Sequence, residues 1–180
     1  MNKIIAIVGM CGSGKSVASE LLESKGYKRV YFGGVTMDKL KEKGLEVTPE
    51  NEKMMREKLR EDLGMGAFAK LLLPKIKELA EENKVVLDGL YSWDEYKILD
   101  EEFKKQLVTI AIVCDKKIRY SRLKNREVRP LSNSQAKERD LSEIENIAKA
   151  PPITYADYYI FNNGTLEDYE NRLNEILKQI

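Results

Sequence analysis

The sequence predicts an α/β fold in three layers, with helices on both faces of a five-stranded parallel sheet. Five short apolar runs have the length of strands, at residues 3–8, 28–32, 84–88, 108–114 and 157–161. Segments with helical spacing separate these runs, and strands that alternate with helices are typical of βαβ units. A chain of 180 residues suits one domain, and no linker, repeat or low-complexity tract divides residues 1–180.

Composition narrows the possible functions. Lys and Arg total 31 against 30 Asp and Glu, so the formal net charge of +1 favours neither nucleic acid nor a membrane as a partner. The chain has no histidine, which excludes imidazole bases and histidine-ligated metals. No apolar run reaches the ~20 residues of a membrane span, and no signal peptide precedes the first run. We therefore expect a cytoplasmic protein whose cysteines, Cys11 and Cys114, are reduced thiols.

A glycine-rich stretch follows the first apolar run and fits the pattern GxxxxGK[ST]. It reads Gly9-Met10-Cys11-Gly12-Ser13-Gly14-Lys15-Ser16, and Val17 continues it into a segment with helical spacing. Such a loop directs backbone N–H groups into one concavity at a helix N-terminus, where anions bind. We predict that residues 9–17 bind nucleotide phosphates, with catalytic Lys15 at the β- and γ-phosphates and the Ser16 hydroxyl on Mg²⁺.

Asp88 ends the third apolar run, within Val85-Val86-Leu87-Asp88-Gly89. Ligands bind at the carboxyl ends of the strands in a parallel sheet. Asp88 is therefore a candidate to hold Mg²⁺ through water, or to accept the proton of an attacking group. The alternative is a turn-forming Asp-Gly pair with no chemical role. We predict the catalytic and metal-binding role because the phosphate loop lies in the same chain.

Two long segments between strands are predicted to carry function. Residues 33–82 contain a helix near 35–43, a helix start at Thr48-Pro49-Glu50 and a charged helix that ends at Gly64, and we predict an acceptor-binding arm there. On the charged helix, Arg60 either binds the acceptor or pairs with neighbouring glutamates. Residues 126–152 are rich in charge, close with Pro151-Pro152, and are predicted to form a helical lid.

Arginines cluster after the fourth apolar run. Arg119, Arg122 and Arg126 are spaced to share one helix face, and Arg129 follows. Guanidinium groups stabilise the charge on a phosphoryl group in transfer, so we predict catalytic roles for Arg126 and Arg129 and donor-nucleotide binding by Arg122. A solvated helix face and a nucleic-acid patch are the alternatives. The scarcity of aromatic residues there disfavours nucleic acid.

Arg139 and Asp140 lie next to each other within the predicted lid. Either Arg139 supplies one more substrate-binding arginine, or the two residues form only a surface pair.

These motifs resemble the P-loop nucleoside monophosphate kinase superfamily, and more narrowly its dephospho-CoA kinase-related and adenylate-kinase-like members. The similar segments extend over nearly the whole chain: the phosphate loop, residues 59–64 and 86–89, the lid arginines, and residues 156–164. The resemblance implies the three-layer P-loop NTPase fold with a mobile lid. It also implies that MgATP donates its γ-phosphoryl group to a nucleotide-like acceptor. By the same resemblance, Asn162 to Gly164 lie near the donor adenine, so Asn162 and Gly164 are predicted nucleotide ligands.

The chain departs from this family on the acceptor side. Gly33-Gly34 and Met37 stand where many relatives have Gly-Asp followed by an Arg. Tyr91, our remaining candidate substrate-binding residue, stands where monophosphate kinases have an Arg. Two functions stay open: an ATP-dependent kinase with an acceptor of the nucleoside monophosphate or dephospho-CoA type, and an ATP-binding sensor with a degenerate acceptor site. A GTPase is least supported, because no NKxD pattern is present. The sequence is compatible with a monomer or a homodimer.

Overall fold

The computed structural model describes residues 2–180, in which the five predicted strands form one parallel sheet. The strands are β1 Ile4–Val8, β2 Lys28–Tyr31, β3 Val85–Asp88, β4 Leu107–Val113 and β5 Tyr158–Phe161. Their order in the sheet is β2-β3-β1-β4-β5, and all neighbours pair in parallel. Every strand boundary lies within one residue of the predicted run, so the predicted α/β fold is confirmed. Met1, the first residue of the predicted domain, lies outside the described residues.

Helices connect the strands and cover both faces of the sheet. They are α1 Lys15–Ser24, α2 Gly34–Glu42, α3 Pro49–Leu63, α4 Ala67–Glu82, α5 Trp93–Phe103, α6 Lys116–Asn125, α7 Asn133–Glu145, α8 Ala150–Thr154 and α9 Leu166–Leu177. A 3₁₀ turn at Lys104–Gln106 precedes β4. Over residues 2–180, no helix combines the length and hydropathy needed to cross a bilayer.

The alternation of side chains along β1 divides the core into two clusters. Ile5 and Ile7 pack on one face with Ala18 and Leu22 of α1, and α9 adds Leu173 to the same cluster. Ile4, Ala6 and Val8 point to the opposite face, because successive strand residues alternate sides. Residues of α2, α3, α4 and α5 cover that second face. Both faces of β1 are therefore buried, as expected for the central strand of a parallel sheet.

The pairing of β1 with its neighbours places two predicted functional segments side by side. Ile7 pairs with Asp88 at the end of β3, and Val8 pairs with Ala111 of β4. The loop after β1 therefore begins beside Asp88, at the carboxyl edge of the sheet. The chain order reverses next to β1, and such a point is where open parallel sheets bind ligands.

The first long segment folds as three helices, α2, α3 and α4. Thr48 begins α3 as its N-cap, since its hydroxyl accepts a hydrogen bond from the Asn51 amide at 3.2 Å. Pro49 follows at the first helical turn, and Gly64 ends the helix with φ 83°. These are the start and the end that the sequence predicts. Met55 and Leu59 are buried, so the charged helix packs one apolar stripe against the core.

Candidate functional site

The loop between β1 and α1 has a shape that only glycine permits at several positions. Gly9, Gly12 and Gly14 have φ values of 149°, 79° and 102°. A β-carbon on Gly9 would lie 2.5 Å from the Ile112 carbonyl oxygen, and one on Gly14 would lie 2.3 Å from Asn162 Nδ2. Side chains here would strain the backbone and collide with its neighbours. The loop thus forms a narrow backbone concavity at the N-terminus of α1, which fits a phosphate group.

The Lys15 side chain bonds to the backbone of this loop and lines the cleft next to it. Its Nζ donates hydrogen bonds to the carbonyl oxygens of Gly9 at 2.8 Å and Met10 at 3.1 Å. Burial, and secondly the nearby Lys149 ammonium, lower the pKa of Lys15 to about 7. The carboxylates of Glu143 and Asp88 favour the charged form of Lys15, but their effect on its pKa is smaller than that of burial. A bound phosphate would supply further negative charge.

Residues from the far end of the sequence hold the loop in place. Asn162, which follows β5, donates from its side-chain amide to the Ser13 carbonyl oxygen at 2.8 Å. The Tyr169 hydroxyl on α9 donates to the Gly14 carbonyl oxygen at 3.1 Å. Arg122 on α6 donates to the carbonyl oxygen of Asn162 at 3.0 Å. Asn162 therefore contacts the loop itself, and its predicted contact with the adenine stays a prediction.

A cleft of about 450 Å³ opens above the loop. It brings together seven predicted site residues with functional side chains: Lys15, Ser16, Asp88, Tyr91, Arg122, Arg126 and Arg139. The cleft also contains charged and aromatic residues that sequence reasoning missed: Arg29, Tyr31, Glu143 and Lys149. Of the other predicted site residues, three in the phosphate loop also line the cleft: Cys11, Gly12 and Gly14. Eight predicted site residues are not among the residues that line it: Gly9, Met10, Ser13, Val17, Arg60, Arg129, Asn162 and Gly164.

Asp88 is buried at the end of β3 and forms an ion pair with Arg29 of β2. Arg29 Nε donates to Asp88 Oδ2 at 3.0 Å, and a second guanidinium nitrogen contacts the same oxygen. Burial works to lower the pKa of Arg29, but its hydrogen bond to Asp88 raises that pKa overall. The parallel pairing of β2 with β3 brings the two side chains together. The catalytic and metal-binding role of Asp88 stays a prediction.

The Ser16 hydroxyl and the Asp88 carboxylate are oxygen ligands of the type that Mg²⁺ prefers. Within residues 2–180, no group of three or more His, Cys, Asp or Glu side chains is placed to hold a metal ion. The two oxygen donors fit Mg²⁺, which commonly shares its coordination with phosphates and water.

The lining of the cleft includes a buried ion pair. Lys149 is 1% exposed, and its Nζ donates to Glu143 Oε2 at 2.7 Å. The other Glu143 oxygen accepts from Arg139 Nε at 3.1 Å. Burial works to raise the pKa of Glu143, but Lys149 and Arg139 hold it below its usual value. The Lys149 ammonium also lies 4.7 Å from the centre of the Tyr91 ring.

The structure corrects the prediction that three arginines share one helix face. Helix α6 ends at Asn125, and Arg126 has an extended backbone with φ −71° and ψ 144°. Arg126 Nε donates to the Arg129 carbonyl oxygen, so the chain turns back just after the helix. Arg129 itself bonds to Glu52 of α3, at 2.6 Å and 3.2 Å. Catalytic contacts of Arg126 and Arg129 with phosphate stay predictions.

Arg60 and Gly164 also have contacts away from the cleft. The Arg60 guanidinium lies 5.1 Å from the centre of the Phe68 ring, in the first long segment. Gly164 lies in the turn before α9, where an added β-carbon would be 2.9 Å from an Asp168 carboxylate oxygen. Substrate binding by Arg60 and nucleotide binding by Gly164 stay predictions.

Arg139 and Asp140 do not form the surface pair that was one sequence interpretation. Arg139 bonds to Glu143, whereas Asp140 is buried and accepts two hydrogen bonds from Arg119 at 3.0 and 2.7 Å. Adjacent helical residues point about 100° apart, so they contact different partners. Arg119 also donates to the Cys11 carbonyl oxygen at 2.9 Å, a contact that connects α6 to the phosphate loop and, through Asp140, α7 as well.

Comparisons with known proteins agree with this geometry. The sequence profile described as AAA domain matches residues 5–143. A UPF0200 protein of Thermococcus onnurineus (strain NA1) is 36% identical over 181 residues, covering 98% of this chain and 97% of its own.

Among solved structures, a dephospho-CoA kinase from Campylobacter jejuni aligns with TM-score 0.61 and 18% identity, over 99% of this chain and 97% of that one. A shikimate kinase from Bacteroides thetaiotaomicron aligns with TM-score 0.61 and 14% identity, over 98% and 97%. At these identities the two structures establish the fold alone, which is that of P-loop kinases. The chain belongs to the UPF0200 family, whose relatives are archaeal proteins, and its AAA domain occupies residues 5–143.

Proposed function

We propose that the protein is an ATP-dependent kinase that transfers the γ-phosphoryl group of MgATP to a small, nucleotide-like acceptor. The supporting observation is that the phosphate loop and Asp88 open into the same cleft. Six cationic side chains and two carboxylates line this cleft: Lys15, Arg29, Arg122, Arg126, Arg139 and Lys149, with Asp88 and Glu143. Such an excess of positive charge favours ligands that bring several negative charges.

The chain's own residues would perform the transfer mainly by positioning and electrostatics. Backbone amides of the loop and Lys15 would bind the donor's phosphates. Ser16 and Asp88 would hold Mg²⁺, which supplies further neutralisation of phosphate charge when bound. The new bond joins an acceptor oxygen to the γ-phosphorus, while the bond from that phosphorus to the β–γ bridging oxygen breaks. The alternative role of Asp88, when the acceptor is a hydroxyl, is to accept its proton.

The acceptor would enter from the side of Tyr91 and Arg139. Both residues line the cleft beyond the loop, and Arg139 is 46% exposed in its side chain, so a ligand can reach it. A monophosphate or a phosphate-bearing dephospho-CoA type of molecule would complement this positive wall. The names of the structural neighbours, a dephospho-CoA kinase and a shikimate kinase, support a small-molecule acceptor of this size.

The test is phosphoryl transfer from MgATP to a panel of nucleoside monophosphates, deoxynucleotides, dephospho-CoA and shikimate. We expect product with one acceptor class at ~1 s⁻¹ or faster, the ordinary range for kinases. Lys15→Ala should abolish turnover and leave the circular dichroism spectrum unchanged. Asp88→Asn should lower kcat about 10²- to 10⁴-fold if Asp88 accepts a proton. Full activity of Lys15→Ala would contradict the proposal.

A second candidate is an ATP-binding sensor, which the altered acceptor side favours. Gly34, at the start of α2, has no carboxylate where many relatives have an Asp. Met37, on the same helix, replaces their Arg and is 38% exposed. The uncharged Tyr91 lines the cleft. A sensor would bind ATP or ADP tightly and transfer the phosphoryl group to nothing in the panel. Turnover of any small acceptor at the rate given above would rule it out.

A further inference from the structure

We propose that Lys149 binds the phosphoryl group that passes from donor to acceptor. This inference rests on the proposed kinase function and assigns a residue to it. Lys149 lies outside the phosphate loop and next to the short helix α8, in a segment where the sequence indicated only a charged lid.

The backbone around Lys149 is held in a specific conformation. Its amide donates to the Glu143 carbonyl oxygen at 3.1 Å, so the chain returns to the end of α7. Ala148 before it has φ 48°, a left-handed conformation that residues other than glycine rarely adopt. Lys149 then caps α8, where Pro151 and Pro152 fix the direction of the chain. This arrangement directs a lysine into the protein at the cost of local backbone strain.

The hydrogen bonds of Lys149 leave donors for a ligand. An ammonium group has three N–H donors. Within residues 2–180, Glu143 is the only hydrogen-bond acceptor that Nζ contacts, at 2.7 Å. Lys149 nevertheless lines the cleft, although its side chain is only 2% exposed. Glu143 also accepts a hydrogen bond from Arg139, so one carboxylate neutralises two cations only in part. A buried ammonium with this partial neutralisation favours a second anion.

Lys149 lies in the cleft together with the wall assigned to the acceptor and with the phosphate loop. On one side it contacts the Tyr91 ring at 4.7 Å, in the wall assigned to the acceptor. On the other side the cleft that Lys149 lines also contains Lys15 of the phosphate loop. Two ammonium groups that repel each other in a cleft are stabilised together when an anion binds between them. The group between the phosphate loop and the acceptor wall is the γ-phosphoryl group.

The experiment compares binding of two probes by titration calorimetry: MgADP, which has no γ-phosphoryl group, and Mg·AMP-PNP, which carries a non-transferable one. Lys149→Met and Lys149→Gln remove the charge, and the Gln variant keeps a hydrogen-bond donor for Glu143. Lys137→Met is the matched control, because Lys137 is an exposed lysine on α7. We expect both Lys149 variants to bind ADP within about twofold of wild type. Their AMP-PNP affinity should fall about 10- to 100-fold, the size of one charge-assisted hydrogen bond.

The outcomes separate this inference from the proposed function. AMP-PNP affinity unchanged in a Lys149 variant that still binds ADP would overturn the role of Lys149 alone. Loss of ADP binding in both variants would make Lys149 a structural residue and would also overturn it. A wild-type protein that binds neither nucleotide would contradict the proposed function itself. The Lys137 variant should bind both probes as wild type does.

Discussion

The Arg119 guanidinium and the Asp140 carboxylate form two hydrogen bonds, at 3.0 and 2.7 Å, and both residues are only 7% exposed. Arg119 belongs to α6 and Asp140 to α7, so this pair joins the two helices. The same guanidinium donates to the Cys11 carbonyl oxygen in the phosphate loop. One arginine thus connects the position of α7 with the backbone that we propose binds phosphate.

Asp140→Ala should destabilise the fold strongly. Removal of one partner leaves Arg119 as a buried, unpaired cation, and breaking such a pair costs about 3–5 kcal/mol in free energy of unfolding. Urea denaturation monitored by circular dichroism measures this difference. Glu175→Ala is the control, since its pair with Arg172 is exposed and should contribute under about 1 kcal/mol. Equal losses in the two variants would contradict the proposed importance of the buried pair.

Gly14→Ala should abolish tight nucleotide binding. The added β-carbon would meet Asn162 Nδ2 at 2.3 Å, and the backbone has φ 102°, so the loop must change shape. We expect at least a ~100-fold loss of ADP affinity, since each factor of ten needs only about 1.4 kcal/mol. Gly44→Ala is the matched control, with φ 66° but no atom within 4 Å of the new carbon. It should lower stability by about 1–2 kcal/mol and leave ADP affinity unchanged. Equal ADP affinities of the two variants would refute this reading of the loop.

The sequence was sufficient for the elements with strong local patterns. The runs that became β1, β3 and β4 are apolar because both faces of the sheet are covered there. All five strands could be located within one residue. The end of α3 at Gly64 and its start after Thr48 follow from capping preferences of single residues. Asp88 could be placed at the ligand-binding edge because it ends a buried strand.

No local sequence pattern marks the site residues that the sequence analysis did not predict. Arg29 precedes Asp88 by 59 positions and meets it only because β2 pairs with β3. Lys149 occurs in a charged segment that predicts exposure, and its burial depends on the turn at Ala148. Tyr169 reaches the phosphate loop across 155 positions. Arg126 was misplaced for the opposite reason, because helical spacing continues in the sequence after the helix has ended at Asn125.

Nucleotide binding above neutral pH should be coupled to proton uptake by Lys15. Its pKa is lowered to about 7 without ligand, so much of the ammonium is deprotonated at pH 8. A bound phosphate favours the charged form and raises the pKa toward the ordinary value, so binding takes up a proton. ADP affinity should therefore fall as pH rises from about 7 toward 9.

Calorimetric titration with ADP in two buffers of different ionisation enthalpy at pH 8 measures this uptake. The Lys15→Arg variant is the control, because an arginine stays charged over this range and should take up no proton. Wild type and Lys15→Arg with the same proton uptake would assign the effect to another group.

Glu95 should make the stability of the fold depend on pH. Its Oε2 accepts hydrogen bonds from the amides of Tyr91 at 2.9 Å and Ser92 at 3.1 Å, which caps the start of α5 beside the cleft. Burial raises the pKa of Glu95 to about 7, despite these hydrogen bonds and the positive charges of Arg60 and Lys149. The folded state therefore favours the protonated carboxyl. This contribution to stability is fully present below the ordinary pKa of 4.5 and is lost as pH rises through about 7.

Glu95→Gln isolates this effect, because glutamine keeps an acceptor oxygen for the two amides and cannot ionise. The free energy of unfolding of wild type, from urea denaturation at several pH values, should fall relative to Glu95→Gln between pH 5 and pH 8. Glu101→Gln is the control on the same helix, since Glu101 is exposed and its variant should follow wild type at every pH. Parallel curves for wild type and Glu95→Gln would mean that Glu95 ionises equally well in the folded and unfolded chains. The cap at Tyr91 and Ser92 would then hold a charged carboxylate without penalty, and burial would not be the dominant influence on this side of the cleft.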